Sequence, residues 1–160
     1  MDFLLGLPPE LNPDVKIPIF TVEGGGRERH DRLSSYPEWL LVDNGSGLHV
    51  CPRSLGEDFP LESTEPGSAR TATGAPVDHY GARTVSFLFP GGSRGRTRFN
   101  VMGVAKPVLS VSELNRTGHT VTFAPDYAMI TREGRSLSLV LDNGVFYLPA
   151  KLEASSRTRD

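Results

Sequence analysis

At 160 residues the chain has room for one domain with tails on either side, and a hydrophobic content of 38% supports a modest core. A formal net charge of −2 provides no global field toward nucleic acid or anionic membrane. The single cysteine, Cys51, excludes an internal disulfide and fits a reducing compartment.

Residues 1–36 read as a Pro/Gly-rich leader or linker, with Pro8, Pro9, Pro13 and Pro18 followed by Gly24-Gly25-Gly26 and a charged run from Arg27 to Arg32. The triple glycine lacks the Gly-Lys-Ser/Thr that completes a phosphate loop. Val15 to Val22 fits one edge strand, because Pro18 cannot donate to a central ladder. The first residues carry Asp2 where a signal peptide needs a base, and no apolar run reaches the length of a membrane span. An intracellular, cytoplasmic location is therefore expected.

From Pro37 the character changes. Trp39-Leu40-Leu41-Val42 is a continuous apolar run that stops at Asp43-Asn44-Gly45, and such a run predicts a strand buried on both faces. Leu48 to Cys51 resumes a strand pattern up to Pro52, and residues 53–72 read as a polar surface loop. Thr84 to Phe89 and Thr97 to Val104 are strand candidates joined through Pro90-Gly91-Gly92. Between them Arg94, Arg96 and Arg98 alternate and so share one face. Without interleaved aromatics, a solvated edge accounts for them better than a nucleic-acid patch.

Ser110-Val111-Ser112-Glu113 has the form of a capping box, with Ser110 as N-cap and Glu113 reaching back to its amide. Gly118 follows as a left-handed terminator, framing a helix of about two turns from Val111 to Thr117. Beyond it, residues 119–124 and 127–131 flank Pro125-Asp126 as a hairpin. Leu137 to Leu141 and Val145 to Leu148 flank Asp142-Asn143-Gly144 as another, and the segment 151–160 is a polar tail. Residues 37–150 thus form the expected domain, mostly β with one short helix.

Asp-Asn-Gly occurs twice, and the copies invite different readings. Asp142-Asn143-Gly144 joins two alternating strands, where Asn-Gly supplies the positive φ angles of a tight turn. Asp43-Asn44-Gly45 admits the same reading on local sequence. It also admits a chemical one: a carboxylate ending a buried strand is partly desolvated, and Gly45-Ser46-Gly47 lets backbone pass close to a substrate or partner.

Three segments carry a resemblance. Trp39-Leu-Leu-Val-Asp43-Asn-Gly-Ser-Gly-Leu-His49-Val-Cys-Pro52 is similar to the active-site segment of Copia-type retrotransposon proteases, with its Trp, two apolar residues, Asp-Ser-Gly-Ala-Ser and a later His. Val108 to Phe123 resembles the Leu-Leu-Ser-Val-Ser-Gln-Leu…Gly segment that follows in that family, and Asn143 to Leu148 resembles its closing Asn-Gly-Leu-Tyr-Leu-Leu. The three lie in order across residues 37–150.

The resemblance implies a retropepsin-like, half-pepsin closed β barrel whose protomer supplies one catalytic aspartate, Asp43. Asn44, Gly45 and Ser46 would complete the active-site loop, and Val108, Leu109 and Ser110 the hydrophobic loop supporting it. Residues 73–81 take the place of the flap, with Thr73, Gly74 and Gly81 as its candidate positions and Pro76 as a departure. The implied activity is endopeptidase cleavage of a polypeptide by a homodimer, without cofactor or metal. Asn44 stands where the family has a hydroxyl residue that locks the two loops together, and Ser46 stands where alanine is usual. The alternative reading is therefore a catalytically decayed domain that dimerises or binds peptides. A Cys51–His49 pair would share a strand face, but has no third group to orient it.

Overall fold

The computed structural model describes residues 20–21, 33–64 and 76–154. The large sheet contains β1 (Phe20–Thr21), β2 (Glu38–Asp43), β3 (Val50–Cys51), β4 (Leu61–Glu62), β5 (His79–Leu88), β6 (Arg94–Met102) and β7 (Val108–Ser110). After the helix α1 (Val111–Arg116) come β8 (Thr120–Phe123), β9 (Ala128–Arg132) and β10 (Arg135–Ser138), which form a separate three-stranded sheet. The chain then returns to the large sheet as β11 (Val140–Asp142) and β12 (Val145–Leu152).

The order of the nine-stranded sheet is β1-β11-β12-β2-β7-β3-β6-β5-β4. Strand β12 turns it back on itself: Tyr147 to Ala150 pair with β2, while Lys151 and Leu152 pair with Leu88 and Phe87 of β5. Closure is partial, since β1 and β4 stand at the two ends of the order. Among the described residues the fold is mostly β with one short helix, as its turn-rich composition leads one to expect, around a partly closed sheet.

Alternation along β6 shows how the core is assembled. Gly95, Thr97, Phe99 and Val101 point inward, while Arg94, Arg96 and Arg98 face solvent. Phe99 meets Phe87 edge-on, and Leu40, Val85, Phe89, Leu109, Leu114 and Leu148 fill the same interior. Burial of each large apolar side chain contributes about 1.5–3 kcal/mol before ordering costs are set against it. Pro90-Gly91-Gly92 turns β5 into β6, with φ of 94° at Gly91 and 92° at Gly92.

Two strand expectations are modified. β2 has one fully buried face, Leu40 and Val42, and one half-covered face on which Trp39 packs against the Tyr147 ring at 5.5 Å. The apolar run 137–141 is divided at Leu139 between the two sheets, and the Leu139 amide donates to the Ala128 carbonyl at the break. The hairpin around Pro125-Asp126 forms as β8–β9, Phe123 opposite Ala128. The second Asp-Asn-Gly is the expected turn between β11 and β12, with φ of 51° at Asn143 and 78° at Gly144.

Candidate functional site

The first Asp-Asn-Gly does not make a hairpin. β2 and β3, on either side of it, are not neighbours; β7 lies between them, parallel to β2 and antiparallel to β3. Asp43 closes β2 opposite Ser110, and residues 44–49 arch over the end of β7 to begin β3 on its far side. Neither Asn44 nor Gly45 has the positive φ found at the second copy.

Within the arch, the half-buried Asp43 carboxylate accepts a hydrogen bond from the Gly45 amide through Oδ1 at 2.7 Å. A Cβ at Gly45 would stand 3.2 Å from that oxygen, so glycine keeps the amide close to the carboxylate. Asn44 is exposed. Ser46 Oγ donates to the Leu48 carbonyl at 2.7 Å, which tightens the descending half of the arch.

Ser110 is the hub beneath the loop. The supporting segment Val108-Leu109-Ser110, expected as a loop, is strand β7, because β2 and β3 satisfy its backbone from both sides. Leu109 is fully buried and lies opposite Val42, one residue before the Asp43–Ser110 pair. Ser110 Oγ donates to the Ser46 carbonyl at 2.6 Å and accepts from the Glu113 amide at 3.1 Å, so one hydroxyl ties the arch to the first turn of α1. The reciprocal half of the capping box is absent. Glu113 instead forms a bidentate pair with Arg116, at 3.0 and 2.9 Å, and the Ser110 amide donates to His49 Nδ1 at 3.0 Å.

His49 is thereby a member of the site that sequence reasoning did not identify. In sequence it stands as the later His of the quoted segment and as a companion of Cys51, with no link to Ser110. The ring accepts at Nδ1, so its own proton resides on Nε2. Burial, helped by His119 and Arg116 and opposed by Glu113, pushes its pKa down to about 4. Its carbonyl accepts from the Asn100 backbone amide at 2.8 Å and from Asn100 Nδ2 at 3.2 Å, which anchors the loop's end to β6. Arg116 holds the Glu113 carboxyl below the usual range.

Cys51 projects into the core, fully buried, and desolvation pushes its thiol up to about 12 although Arg83 draws it down. A thiol so held is protonated at neutral pH and a poor nucleophile. Arg83 is itself buried, and donates to the carbonyls of Arg53, Leu55 and Phe59 at 2.9, 2.7 and 3.1 Å, fastening the 53–59 turn region to β5. In sequence Arg83 stands just before the strand expected from Thr84 to Phe89, with nothing local to indicate its burial.

Of the flap positions, Thr73 and Gly74 lie outside the described residues. Gly81 sits in β5 at a register shift, with φ of 142°, where an added Cβ would collide with the Glu62 carbonyl oxygen. Glycine is required there by the close approach of β4. The arginine face of β6 is partly neutralised: Arg94 pairs with Glu153 at 3.3 Å and Arg98 with Glu62 at 2.7 Å. Among the described residues, no group of His, Cys, Asp and Glu side chains could hold a metal ion, and no helix is long and apolar enough to cross a membrane.

No family model matches the chain, and neither a curated protein nor a solved structure matches it.

Proposed function

We propose that the chain is an aspartic-type endopeptidase that acts as a homodimer on polypeptide substrates, in the manner of retrotransposon polyprotein proteases. The observation that carries this reading is the setting of Asp43. The carboxylate ends a core strand, is held by the Gly45 amide, and lies on an arch braced from below by β7 and α1 rather than on a hairpin turn.

Such a carboxylate suits peptide hydrolysis only as one of a pair. Two carboxylates sharing a proton divide the work, one drawing a proton from the attacking water and the other protonating the carbonyl oxygen. One chain contributes Asp43, so a two-fold axis supplies the second copy. Cleavage of an unstructured peptide tests the reading: Asp43→Asn abolishes turnover while the fold persists, and turnover surviving the substitution rejects it.

A second reading rests on Asn44, the exposed amide where the resembling family has a hydroxyl. Here the fold is retained as a dimerisation or peptide-binding module without turnover. Asn44→Ser separates the two: activity gained from an inert parent favours a decayed enzyme, whereas an active parent removes this reading.

A further inference from the structure

The hydrogen bond from the Ser110 amide to His49 Nδ1 exists only while that nitrogen has no proton. The same Ser110 carries the arch through its hydroxyl, on the Ser46 carbonyl, and the first turn of α1 through the Glu113 amide. Placing a proton on Nδ1 would set two donors against each other at 3.0 Å, inside a part of the molecule where water does not readily separate them. Relief requires the ring to leave Ser110 or Ser110 to leave the ring, and either movement shifts the loop that begins at Asp43.

We propose that His49 is a positioning residue for the Asp43 loop: its neutral imidazole clasps Ser110 and holds the arch in register, and protonation of the ring opens the clasp. Among the described residues, Glu113 and Arg116 on α1 and His119 beyond it act electrostatically on the ring, while β6 presents the Phe99 ring edge-on and Asn100. Burial opposes the protonated ring most, Glu113 favours it, and His119 and Arg116 oppose it, so the clasp stays closed until the pH falls to about 4. As a device of the loop the clasp does not depend on the peptidase reading. As an acid limit on turnover it rests on that reading.

The test reads the loop directly in the full chain. Amide signals of Gly45, Ser46 and Ser110 are followed by NMR from pH 7 to 3.5, together with hydrogen exchange corrected for its intrinsic pH dependence, in wild type, His49→Asn and His49→Phe. Asparagine keeps an acceptor near the Nδ1 position but does not titrate. In wild type, Ser110 protection should fall at least tenfold in step with the ring's own titration, and the loop amides should shift with the same midpoint. His49→Asn should retain protection throughout, and His49→Phe should lack it at every pH. If His49→Phe does not fold, the first two proteins still decide. The proposal is overturned by an unchanged acid step in His49→Asn, or by Ser110 protection that persists in wild type after the ring is protonated. Absence of peptidase activity at any pH would reject the proposed function and leave this result standing.

Discussion

Ser110 lies directly opposite Asp43 in the parallel register of β7 and β2, and its hydroxyl reaches past it to the Ser46 carbonyl at 2.6 Å. One residue thus joins the strand that carries the carboxylate through its backbone pairing, and the arch and the helix through its hydroxyl. Ser110→Ala removes the N-cap of α1 and leaves the Ser46 carbonyl without that donor. A stability loss of about 1–3 kcal/mol is expected, read as a lower denaturant midpoint at unchanged slope. Ser110→Thr keeps the hydroxyl and should recover much of that loss. If alanine leaves the midpoint unmoved, Ser110 is not the hub.

Gly81 and Gly144 both have φ angles that disfavour other residues, yet their substitutions should differ. At Gly144 an added Cβ meets nothing within 4 Å, so alanine carries only the left-handed penalty of roughly 1 kcal/mol. At Gly81 the Cβ collides with the Glu62 backbone, so alanine must also displace β4. Urea midpoints should fall further for Gly81→Ala than for Gly144→Ala, and only the former should raise amide exchange at Leu61 and Glu62. Equal losses would mean that β4 yields freely.

Arg83 predicts the behaviour of the core around Cys51. Arg83→Met leaves the carbonyls of Arg53, Leu55 and Phe59 without their donor, at a cost of about 2–4 kcal/mol. In the native wild type, a thiol reagent should label Cys51 only at the rate of opening, since the group is buried and its thiol stays protonated. Arg83→Met should speed that labelling by loosening the 53–59 turn region. Rapid labelling of the wild type would contradict the packing described.

The pH dependence of stability follows from His49. The folded ring titrates at about 4, against about 6.5 in an unfolded chain, so between these values the unfolded state binds the extra proton. Stability therefore falls as pH drops from about 6.5 to about 4 and this contribution levels off below that. Glu113, held low by Arg116, adds a loss in the same direction at lower pH, a small one because the Arg116 side chain is largely exposed. Denaturant midpoints across this range should slope less in His49→Asn than in wild type. Parallel profiles would remove the histidine as the cause.

Features written in local chemistry were legible in the sequence. Ser110 as a cap, Gly118 as a terminator and Asn143-Gly144 as a turn each follow from what a few adjacent residues can do, and the fold class followed from strand runs between such signals. Long-range pairing left no such mark. Nothing near Asp43 indicates that β7, more than sixty residues along the chain, lies between β2 and β3. The same limit explains the capping box, in which His49 takes the Ser110 amide that local reasoning assigns to Glu113. It also explains Arg83, whose burial depends on carbonyls about thirty residues earlier. Leu139 divides an apparently single strand because its amide finds Ala128 in the other sheet.

The proposed endopeptidase brings Asp43 from each of two chains into one working site. The most direct measurement mixes wild type with Asp43→Asn protein at constant total concentration, allows subunits to exchange, and follows cleavage of an unstructured peptide. If both carboxylates are needed, only dimers with two wild-type chains turn over, and activity falls as the square of the wild-type fraction, to about a quarter at an equal mixture. A linear fall, to about half, would mean that each chain works alone and would contradict the shared site.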